Sequence, residues 1–323
     1  MRPTVLLSAP YMVPFKDRFV PLLNEHGIEV IIPDVHERLS EDELLVYAGK
    51  VDGVICGDDR FTKEVINAYL PRLKVISKWG TGIDSIDKPY ANSVGVMVGN
   101  TPNAFTLPVS DSVIGYILAF ARRLPWMDTQ MKSGEWDKIP GRSLSECTLG
   151  VIGVGNVGKA VIRRAKAFGM NLLGNDIRDI EPEFLIEEGL KMVPLEELLK
   201  KSDFISINCD LNPTSYHLIN KSTLEHVKKD AVMINTARGP IINENDLIQW
   251  LQGGKIAGAA LDVFEVEPLP VDSPLRKLDN VMLAPHNSNS SPQAWERVHW
   301  NTIKNLLIGL GIDSSNSDSS KNG

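Results

Sequence analysis

Short apolar runs, several of them rich in β-branched residues, alternate along the chain with segments whose apolar residues recur at helical spacing. This alternation predicts parallel β-sheets whose strands are joined by crossover helices. The first third of the chain has five predicted strands: Thr4–Leu7, Glu29–Ile32, Gly53–Cys56, Lys74–Ser77 and Val94–Val98. A second series has six: Leu149–Ile152, Asn171–Gly174, Phe204–Ile207, Ala231–Asn235, Ala257–Leu261 and Val281–Leu283.

Two longer helical patterns flank the second series of strands. The first covers 107–123, and Pro125 is predicted to end it because proline cannot continue a helix interior. The second covers 291–310 and is predicted to pack back on the first series, which makes the first domain discontinuous. The run 313–323 is rich in Ser, Asn and Asp and is predicted to be a disordered tail, since it has no apolar surface to bury.

Composition and charge narrow the class of protein. With 323 residues, 43% hydrophobic and 23% charged, the chain is predicted to form two globular domains. Its net charge of −7, without a clustered basic face, argues against nucleic acid or an anionic membrane as a partner. No signal-peptide pattern and no apolar stretch of the ~20 residues that a membrane helix needs are found, so a cytoplasmic protein is predicted.

The three cysteines are an odd number and lack the spacing of metal ligands. A disulfide framework is therefore not expected, and Cys56, Cys147 and Cys209 are predicted to be reduced thiols. No metal site is predicted.

A glycine-rich loop stands between a predicted strand and a helical pattern. Gly153, Gly155 and Gly158 form the G-x-G-x-x-G pattern of a dinucleotide site, and this strand-to-helix context is what raises it above chance. The first glycine allows a tight turn, the second a close approach of the pyrophosphate, and the third close packing of the helix. Amides at Asn156 and Val157 would point at phosphate charge. The alternative is a turn whose glycines serve packing alone.

This loop identifies 100–286 as a dinucleotide-binding domain and leaves 1–99 with 287–312 as the substrate-binding domain. The predicted fold is α/β, with two Rossmann-like or flavodoxin-like parallel sheets and a cleft between them.

An acidic residue follows the second strand of the second series. Asp176 stands 176 − 158 = 18 positions after the last glycine, where a carboxylate binds the adenosine ribose and repels the extra phosphate of NADP. NAD is therefore the predicted cofactor. Arg178 leaves an NADP-linked enzyme as the alternative, because a guanidinium can bind that phosphate.

Three further polar strings stand at predicted strand ends: Asn235–Gly239, Leu261–Pro268 and Leu283–His286. Ligands of open α/β sheets bind beyond the carboxyl ends of the strands. Reduction of a 2-keto acid requires a cation for its carboxylate, a proton donor for its carbonyl oxygen and a source of hydride. Arg238, His286 and NADH could supply these in that order.

With these strings in place, the sequence resembles the D-isomer-specific 2-hydroxyacid dehydrogenases, the family that includes phosphoglycerate dehydrogenase, glycerate dehydrogenase and glyoxylate reductase. The resemblance covers almost the whole chain, from Lys78–Asp84 through Asn100–Asn103 to the C-terminal helix, with four separate strings in the family's order. It implies an oxidoreductase that transfers a hydride between NAD(H) and a small D-2-hydroxy acid or 2-keto acid.

The resemblance also implies roles for individual residues. Arg238 would hold the substrate carboxylate and keto group, His286 would transfer the proton, and Glu267 would pair with His286 and raise its pKa. The implied substrate loop consists of Trp79, Gly80, Thr81 and Gly82. The implied cofactor contacts are Cys209, Ser215, Thr236 and Asp262, the last as acceptor for the nicotinamide amide.

Each catalytic candidate has a structural alternative. Arg238 could form a surface salt bridge, Glu267 could serve a turn, and His286 could pack in the core; their joint occurrence beside the family's strings favours catalysis. Cys209 is interpreted as a wall residue because no basic residue flanks it. The remaining histidines lack such strings and are interpreted as surface or packing residues: His26, His36, His217, His226 and His299.

Departures from the family pattern bear on the substrate. The polar run 287–291 follows His286 where the family is less polar, which leaves the chemistry of the pocket open. Asp58 and Asp59, after the third strand, are expected to repel a substrate phosphate, whereas Arg60 leaves the point open. A small unphosphorylated 2-keto acid, such as glyoxylate or hydroxypyruvate, is therefore expected.

Two further expectations concern partners. A NAD(H)-sensing binding protein of the same fold is the alternative from another functional class, because a fold does not fix a function. A homodimer is implied by the resemblance, with 107–137, including Trp126 and Trp136, as its interface. Ordinary packing of that segment within the chain is the alternative.

Overall fold

The computed structural model describes residues 2–312, so the predicted tail 313–323 lies outside the described residues. The chain divides into two compact units. One comprises the described residues up to Ala104 and from Ser291 onward, and the other runs from Phe105 to Ser290. The first unit is therefore assembled from two separate stretches of the chain.

The first unit is built on a parallel sheet. Its strands are β1 (Thr4–Leu7), β2 (Glu29–Ile31), β3 (Gly53–Cys56), β4 (Val75–Lys78) and β5 (Met97–Gly99). They lie in the order β2-β1-β3-β4-β5. The connecting helices are α1 (Lys16–Glu25), α2 (Glu41–Leu45), α3 (Lys63–Tyr69) and α4 (Lys88–Ser93). Strands β1, β3 and β4 are buried along their whole length, as expected for a parallel sheet covered on both faces.

The C-terminal helix, Pro292–Gly309, covers one face of this sheet. Gly309 allows the close approach, since a Cβ there would lie 2.4 Å from the Cβ of Val75. Ser77 Oγ donates a hydrogen bond to the Thr302 carbonyl at 2.7 Å. The helical pattern predicted over 291–310 thus packs on the first series of strands, as the sequence indicates.

The second unit contains a longer parallel sheet. Its strands are β6 (Thr148–Ile152), β7 (Asn171–Asn175), β8 (Lys191–Met192), β9 (Phe204–Ile207), β10 (Val232–Asn235), β11 (Gly258–Leu261) and β12 (Val281–Leu283). Its helices are α5 (Thr106–Ala121), α6 (Leu124–Ser133), α7 (Asn156–Ala167), α8 (Pro182–Glu188), α9 (Leu195–Lys201), α10 (Lys221–Leu224) and α11 (Glu244–Gln252), and the C-terminal helix is α12.

The order of this sheet determines where a ligand can bind. The strands lie in the order β12-β11-β10-β9-β6-β7-β8. The chain proceeds from β6 to β7 on one side and returns to β9 on the other, so the direction of winding reverses between β6 and β9. In doubly wound sheets, ligands bind at such a switch point, beyond the carboxyl ends of the strands. Apolar clusters cover both faces of the sheet.

The predicted class of two parallel α/β domains is confirmed. Each of the eleven predicted strands overlaps an observed one, whereas the two-residue strand β8 was not predicted because so short a run has no detectable period. The prediction that Pro125 ends the helix over 107–123 was wrong. Helix α5 already ends at Ala121, Arg123 adopts φ 56, and Pro125 lies in the first turn of α6, where a missing amide costs nothing.

No helix in the described part of the chain is both long and apolar enough to cross a membrane.

Candidate active site

The glycine loop after β6 is closely packed. Gly153 has φ +87, and a Cβ there would lie 2.5 Å from the backbone nitrogen of Cys209. A Cβ on Gly158 would lie 2.1 Å from the carbonyl oxygen of Gly153. The space around Gly155 is open, since a Cβ there would meet only the guanidinium of Arg178, at 3.5 Å. A larger residue at Gly158 would therefore push helix α7 away from the loop, and one at Gly153 would push the loop away from Cys209.

Helix α7 starts at Asn156, and no N-cap side chain binds its first turn. Its first turn contains no acidic residue. A helix N-terminus of this kind presents amide groups and the positive end of the helix dipole to an anion. The loop and helix therefore fit the pyrophosphate of a dinucleotide, and contacts of Asn156 and Val157 with it remain a prediction.

Asp176 follows β7 and is held in place. Its Oδ2 accepts the Val154 amide at 2.7 Å, and its Oδ1 accepts the amide and Nε of Arg178 at 2.9 and 3.3 Å. Burial acts to raise the pKa of Asp176, but the hydrogen bonds from Arg178 and Val154 outweigh it and hold the pKa below its ordinary value. A fixed, ionised carboxylate thus stands at the end of β7 with a guanidinium beside it.

The next predicted cofactor residues follow β9. Burial raises the pKa of the Cys209 thiol to about 11, which keeps it protonated and supports its interpretation as a wall residue. Ser215 Oγ donates to the Asp210 carbonyl at 2.6 Å and accepts the Asn212 amide at 2.9 Å, so in this structure it closes a turn.

Thr236 follows β10. Its Oγ1 is buried and has no hydrogen-bond partner among residues 2–312. Buried polar groups are rarely left unpaired. An orphaned hydroxyl at this strand end fits a polar group of a bound cofactor.

Arg238 lies on the turn after β10. Asn235 holds this turn, since its Oδ1 accepts the Ala237 amide at 3.0 Å and its Nδ2 donates to the Arg238 carbonyl at 2.9 Å. The guanidinium donates to the Ala237 carbonyl at 2.8 Å. A Cβ on Gly239 would lie 1.9 Å from the carbonyl carbon of Phe264, so the turn rests directly on the segment after β11.

His286 and Glu267 form the pair that the sequence predicts. Nδ1 of His286 lies 3.1 Å from Oε2 of Glu267, and the two side chains are 21% and 19% exposed. Glu267 Oε1 accepts the Phe264 amide at 3.0 Å. Because Nδ1 faces the carboxylate, Nε2 lies on the far side of the ring, where proton exchange with a substrate oxygen would take place.

Asp262 orients the segment that carries His286. It is 1% exposed, and its carboxylate accepts the amides of Asn287 and Ser288 at 2.7 and 2.9 Å. Its carbonyl accepts the His286 amide at 2.8 Å, and His286 itself has φ 50. The predicted contact with a nicotinamide amide would use lone pairs that these bonds leave over.

The predicted substrate loop lies in the first unit, directly after β4. Gly80 has φ +126, and its carbonyl accepts the Thr101 amide at 2.8 Å. Thr81 Oγ1 donates to the Thr101 carbonyl at 2.9 Å. Trp79 is 3% exposed, and its indole nitrogen donates to Nδ1 of His299 at 2.9 Å. The Trp79 indole is thus committed to the core of this unit.

The structure overturns the expectation that Asp58 and Asp59 repel a phosphate. Asp59 is fully buried and accepts hydrogen bonds from Ser8 Oγ and the Leu39 amide, both at 2.5 Å. Asp58 pairs with the buried ammonium of Lys78 at 3.0 Å. Asp58 is paired with a cation and Asp59 is buried, because the backbone turns both side chains toward partners that the sequence does not show.

Sequence reasoning missed the pairing of His217 with Glu265. Nε2 of His217 lies 2.7 Å from Oε1 of Glu265, two positions before Glu267. The sequence feature that could have indicated this pair is the second glutamate, Glu265, two positions before Glu267. Among residues 2–312, no cluster of three or more His, Cys, Asp or Glu side chains could hold a metal ion.

At neighbouring strand ends, this dinucleotide fold carries a cation suited to a carboxylate and an imidazole–carboxylate pair suited to proton transfer. That combination characterises oxidoreductases that act on hydroxy or keto acids with a nicotinamide cofactor. Residues 114–288 match the family model described as "D-isomer specific 2-hydroxyacid dehydrogenase, NAD binding domain". The chain belongs to the D-isomer-specific 2-hydroxyacid dehydrogenase family, an enzyme family whose members act on small hydroxy and keto acids.

Curated relatives agree with this assignment. A glyoxylate reductase of Thermofilum pendens is 40% identical over 281 residues, which cover 84% of this chain and 82% of that protein. A D-3-phosphoglycerate dehydrogenase of Methanocaldococcus jannaschii is 40% identical over 285 residues, 87% of this chain but 53% of the longer relative. Among solved structures, a D-lactate dehydrogenase of Aquifex aeolicus complexed with NAD and lactic acid superposes with a TM-score of 0.82 at 29% identity, covering 95% of this chain and 97% of that one.

Proposed function

We propose that this enzyme uses NADH to reduce a small unphosphorylated 2-keto acid to the D-2-hydroxy acid, with glyoxylate and hydroxypyruvate as the first candidates. The observation that carries the proposal is the His286–Glu267 pair, held at 3.1 Å beside the turn of Arg238. One relative that matches this chain over most of its own length is named a glyoxylate reductase, and another is named a hydroxypyruvate reductase.

The proposed roles follow from charge and geometry. The guanidinium of Arg238 binds the substrate carboxylate and polarises the keto oxygen. His286 donates its proton to that oxygen in reduction and accepts it in oxidation, while Glu267 keeps the ring oriented and favours its protonated form. A bound nicotinamide cofactor supplies the hydride. Trp79, Gly80, Thr81 and Gly82 remain proposed contacts of the substrate carboxylate.

The proposed cofactor contacts divide by the part of the dinucleotide that they meet. The glycine loop and the start of α7 would hold the pyrophosphate, with Ser215 beside it. Cys209 would line the adenine pocket, and Thr236 and Asp262 would meet the nicotinamide. Asp176 would bind the ribose hydroxyls, which favours NAD because the carboxylate repels an added phosphate.

The test is a panel of 2-keto acids with NADH, followed by absorbance of the reduced nicotinamide. We expect turnover of glyoxylate or hydroxypyruvate. Faster turnover of a phosphorylated hydroxypyruvate would contradict the proposal of an unphosphorylated substrate. His286→Ala should lower kcat by roughly 10²- to 10⁴-fold, the range for loss of a general acid. His226→Ala, a histidine away from the strand ends, is the control. NADH binding without turnover of any acid would instead support the NAD(H)-sensing alternative.

Arg178 supports a second candidate, an NADP-linked reductase. Its side chain is 67% exposed and already lies beside Asp176 and Gly155, where it could receive the additional phosphate of NADP. Comparison of kcat/KM for NADH and NADPH in the wild type and in Arg178→Gln separates the candidates. A preference for NADPH that Arg178→Gln abolishes would overturn the assignment of NAD.

A further inference from the structure

His217 connects three loops of the second unit. It lies in the loop after β9 with a left-handed backbone, φ 48. Its Nε2 is 2.7 Å from Glu265 Oε1, and its backbone amide donates to the Pro240 carbonyl at 2.9 Å. The Tyr216 ring stacks on the imidazole, with centroids 4.0 Å apart and planes at 18°. Glu265 and Tyr216 therefore hold the imidazole of His217, and Pro240 holds its backbone.

Glu265 belongs to the short segment that carries Glu267. Phe264 precedes Glu265 directly, and its amide donates to Glu267 Oε1 at 3.0 Å, while Glu267 Oε2 contacts His286 Nδ1 at 3.1 Å. The contact of His217 with Glu265 and the contact of His286 with Glu267 therefore both act on one stretch of backbone, residues 264–267. A shift of Glu265 would therefore displace Glu267.

The same stretch supports Arg238. A Cβ on Gly239 would lie 1.9 Å from the Phe264 carbonyl carbon and 2.5 Å from the Glu265 nitrogen, so the two backbones are in direct contact. The carbonyl of Pro240, the next residue, accepts the His217 amide. His217 thus contacts the Arg238 turn through its backbone and the Glu267 segment through its side chain.

Charge explains why this arrangement needs the histidine. The Glu265 amide donates to Glu244 Oε2 at 3.2 Å, and the Glu244 amide lies 3.4 Å from Glu265 Oε1, which brings the two carboxylates near each other. Burial raises the pKa of Glu244, and the charge of Glu265 raises it further. The hydrogen bond from His217 stabilises the carboxylate of Glu265 beside Glu244. Without His217, the Glu265 side chain is expected to turn toward water.

We propose that His217 is a positioning residue of the reaction: through Glu265 it holds the 264–267 segment where Glu267 orients His286. This inference rests on the proposed function, since it assigns no new chemistry to the site. It predicts that His217 affects turnover more than the binding of substrate or cofactor.

The test compares His217→Ala, His217→Gln and Glu265→Gln with the wild type, all as the full chain. We expect His217→Ala to lower kcat about 10- to 100-fold, as for outer partners that orient a reacting ligand. KM for the keto acid and Kd for NADH should stay within about twofold. His217→Gln should recover most of the loss, because its amide can donate to Glu265 in place of Nε2. The fall of reductive kcat at high pH should begin at a lower pH in His217→Ala, as Glu267 stabilises the imidazolium less.

His226→Ala is the matched control. His226 also faces a glutamate in the second unit, with Nδ1 4.0 Å from Glu196 Oε1, but it follows helix α10 rather than a strand. It should leave kcat and its pH profile unchanged. Should His217→Ala not fold, Glu265→Gln, which keeps the side-chain shape, must show the loss of kcat.

The possible failures are distinguishable. A wild type that turns over no 2-keto acid contradicts the proposed function and this inference with it. If the wild type is active but His217→Ala has unchanged kcat per NADH-binding site and an unchanged pH profile, even with a lower melting temperature, the positioning role alone is overturned.

Discussion

At the scale of single residues, His299 shows how burial turns a titratable group into a structural acceptor. It lies on α12, is 3% exposed, and accepts the Trp79 indole N–H at Nδ1. The rings of Phe15 and Phe19 lie 5.2 and 5.4 Å away. Burial lowers the pKa of His299, and Glu296 opposes the shift only in part. A protonated ring would have no acceptor for the indole, so the fold favours the neutral form.

This shift predicts that the free energy of unfolding falls at acid pH. The unfolded chain binds a proton at the ordinary histidine pKa, about 6.5, while the folded chain does so only at lower pH. Between these two pKa values the unfolded state binds more protons than the folded state. The contribution of His299 to the free energy of unfolding is therefore full above about pH 6.5 and is lost as the pH falls through the pKa of the folded state. His299→Asn, which keeps an acceptor and does not titrate, should flatten this dependence.

Urea unfolding followed by tryptophan fluorescence at about pH 7.5 and about pH 5.5 measures the effect. His36→Asn, at an exposed position of the same unit, serves as the control and should retain the wild-type pH dependence. An identical slope in His299→Asn and the wild type would show that His299 is not the group responsible.

At the scale of elements, two helical glycines have opposite surroundings. Gly158 in α7 packs on the Gly153 carbonyl, where a Cβ would come within 2.1 Å. Gly115 in α5 is exposed, and a Cβ there would meet nothing within 4 Å. Within one protomer, the same substitution therefore tests the fit of helix to loop at one site and helix propensity at the other.

We predict that Gly158→Ala weakens NADH binding by about tenfold or more, because α7 must move away from the loop that holds the pyrophosphate. Gly115→Ala should leave NADH affinity unchanged and raise the free energy of unfolding by up to about 1 kcal/mol. Titration of NADH fluorescence and thermal unfolding measure both. Wild-type NADH affinity in Gly158→Ala would contradict the assignment of this loop.

At the scale of the whole molecule, the segment 107–137 presents unusual apolar exposure. Four of its large apolar side chains are at least half exposed: Leu107, Leu124, Met131 and Trp136, the last at 85%. Trp126 differs, since its indole donates to the Asp279 carbonyl and its ring packs on Phe120 at 5.0 Å. The alternative of internal packing therefore applies to Trp126, while the other side chains support the predicted dimer interface.

We predict a homodimer in sedimentation equilibrium, which Leu124→Asp weakens by about tenfold or more in Kd, since a charge buried in an interface leaves its partner surface unpaired. Val271→Asp, at a side chain 91% exposed but outside this segment, should leave the dimer intact. A monomer at all concentrations would eliminate the interface.

The sequence by itself determined the features that depend on neighbours along the chain. Strand and helix periods gave the two parallel sheets, and glycine spacing located the loop of Gly153 and Gly158. In parallel sheets, polar residues that follow strands collect at one edge, so Asp176, Arg238 and His286 could be predicted as site residues before their contacts were known.

Tertiary structure alone decided which side chains meet. Glu267 and His286 are 19 residues apart, and His217 and Glu265 are 48 apart. Asp59 is buried and accepts a hydrogen bond from Ser8, 51 residues away, although its own neighbours suggested a carboxylate exposed to the substrate. Such contacts depend on side-chain directions and on packing between distant segments, for which local periodicity carries no signal.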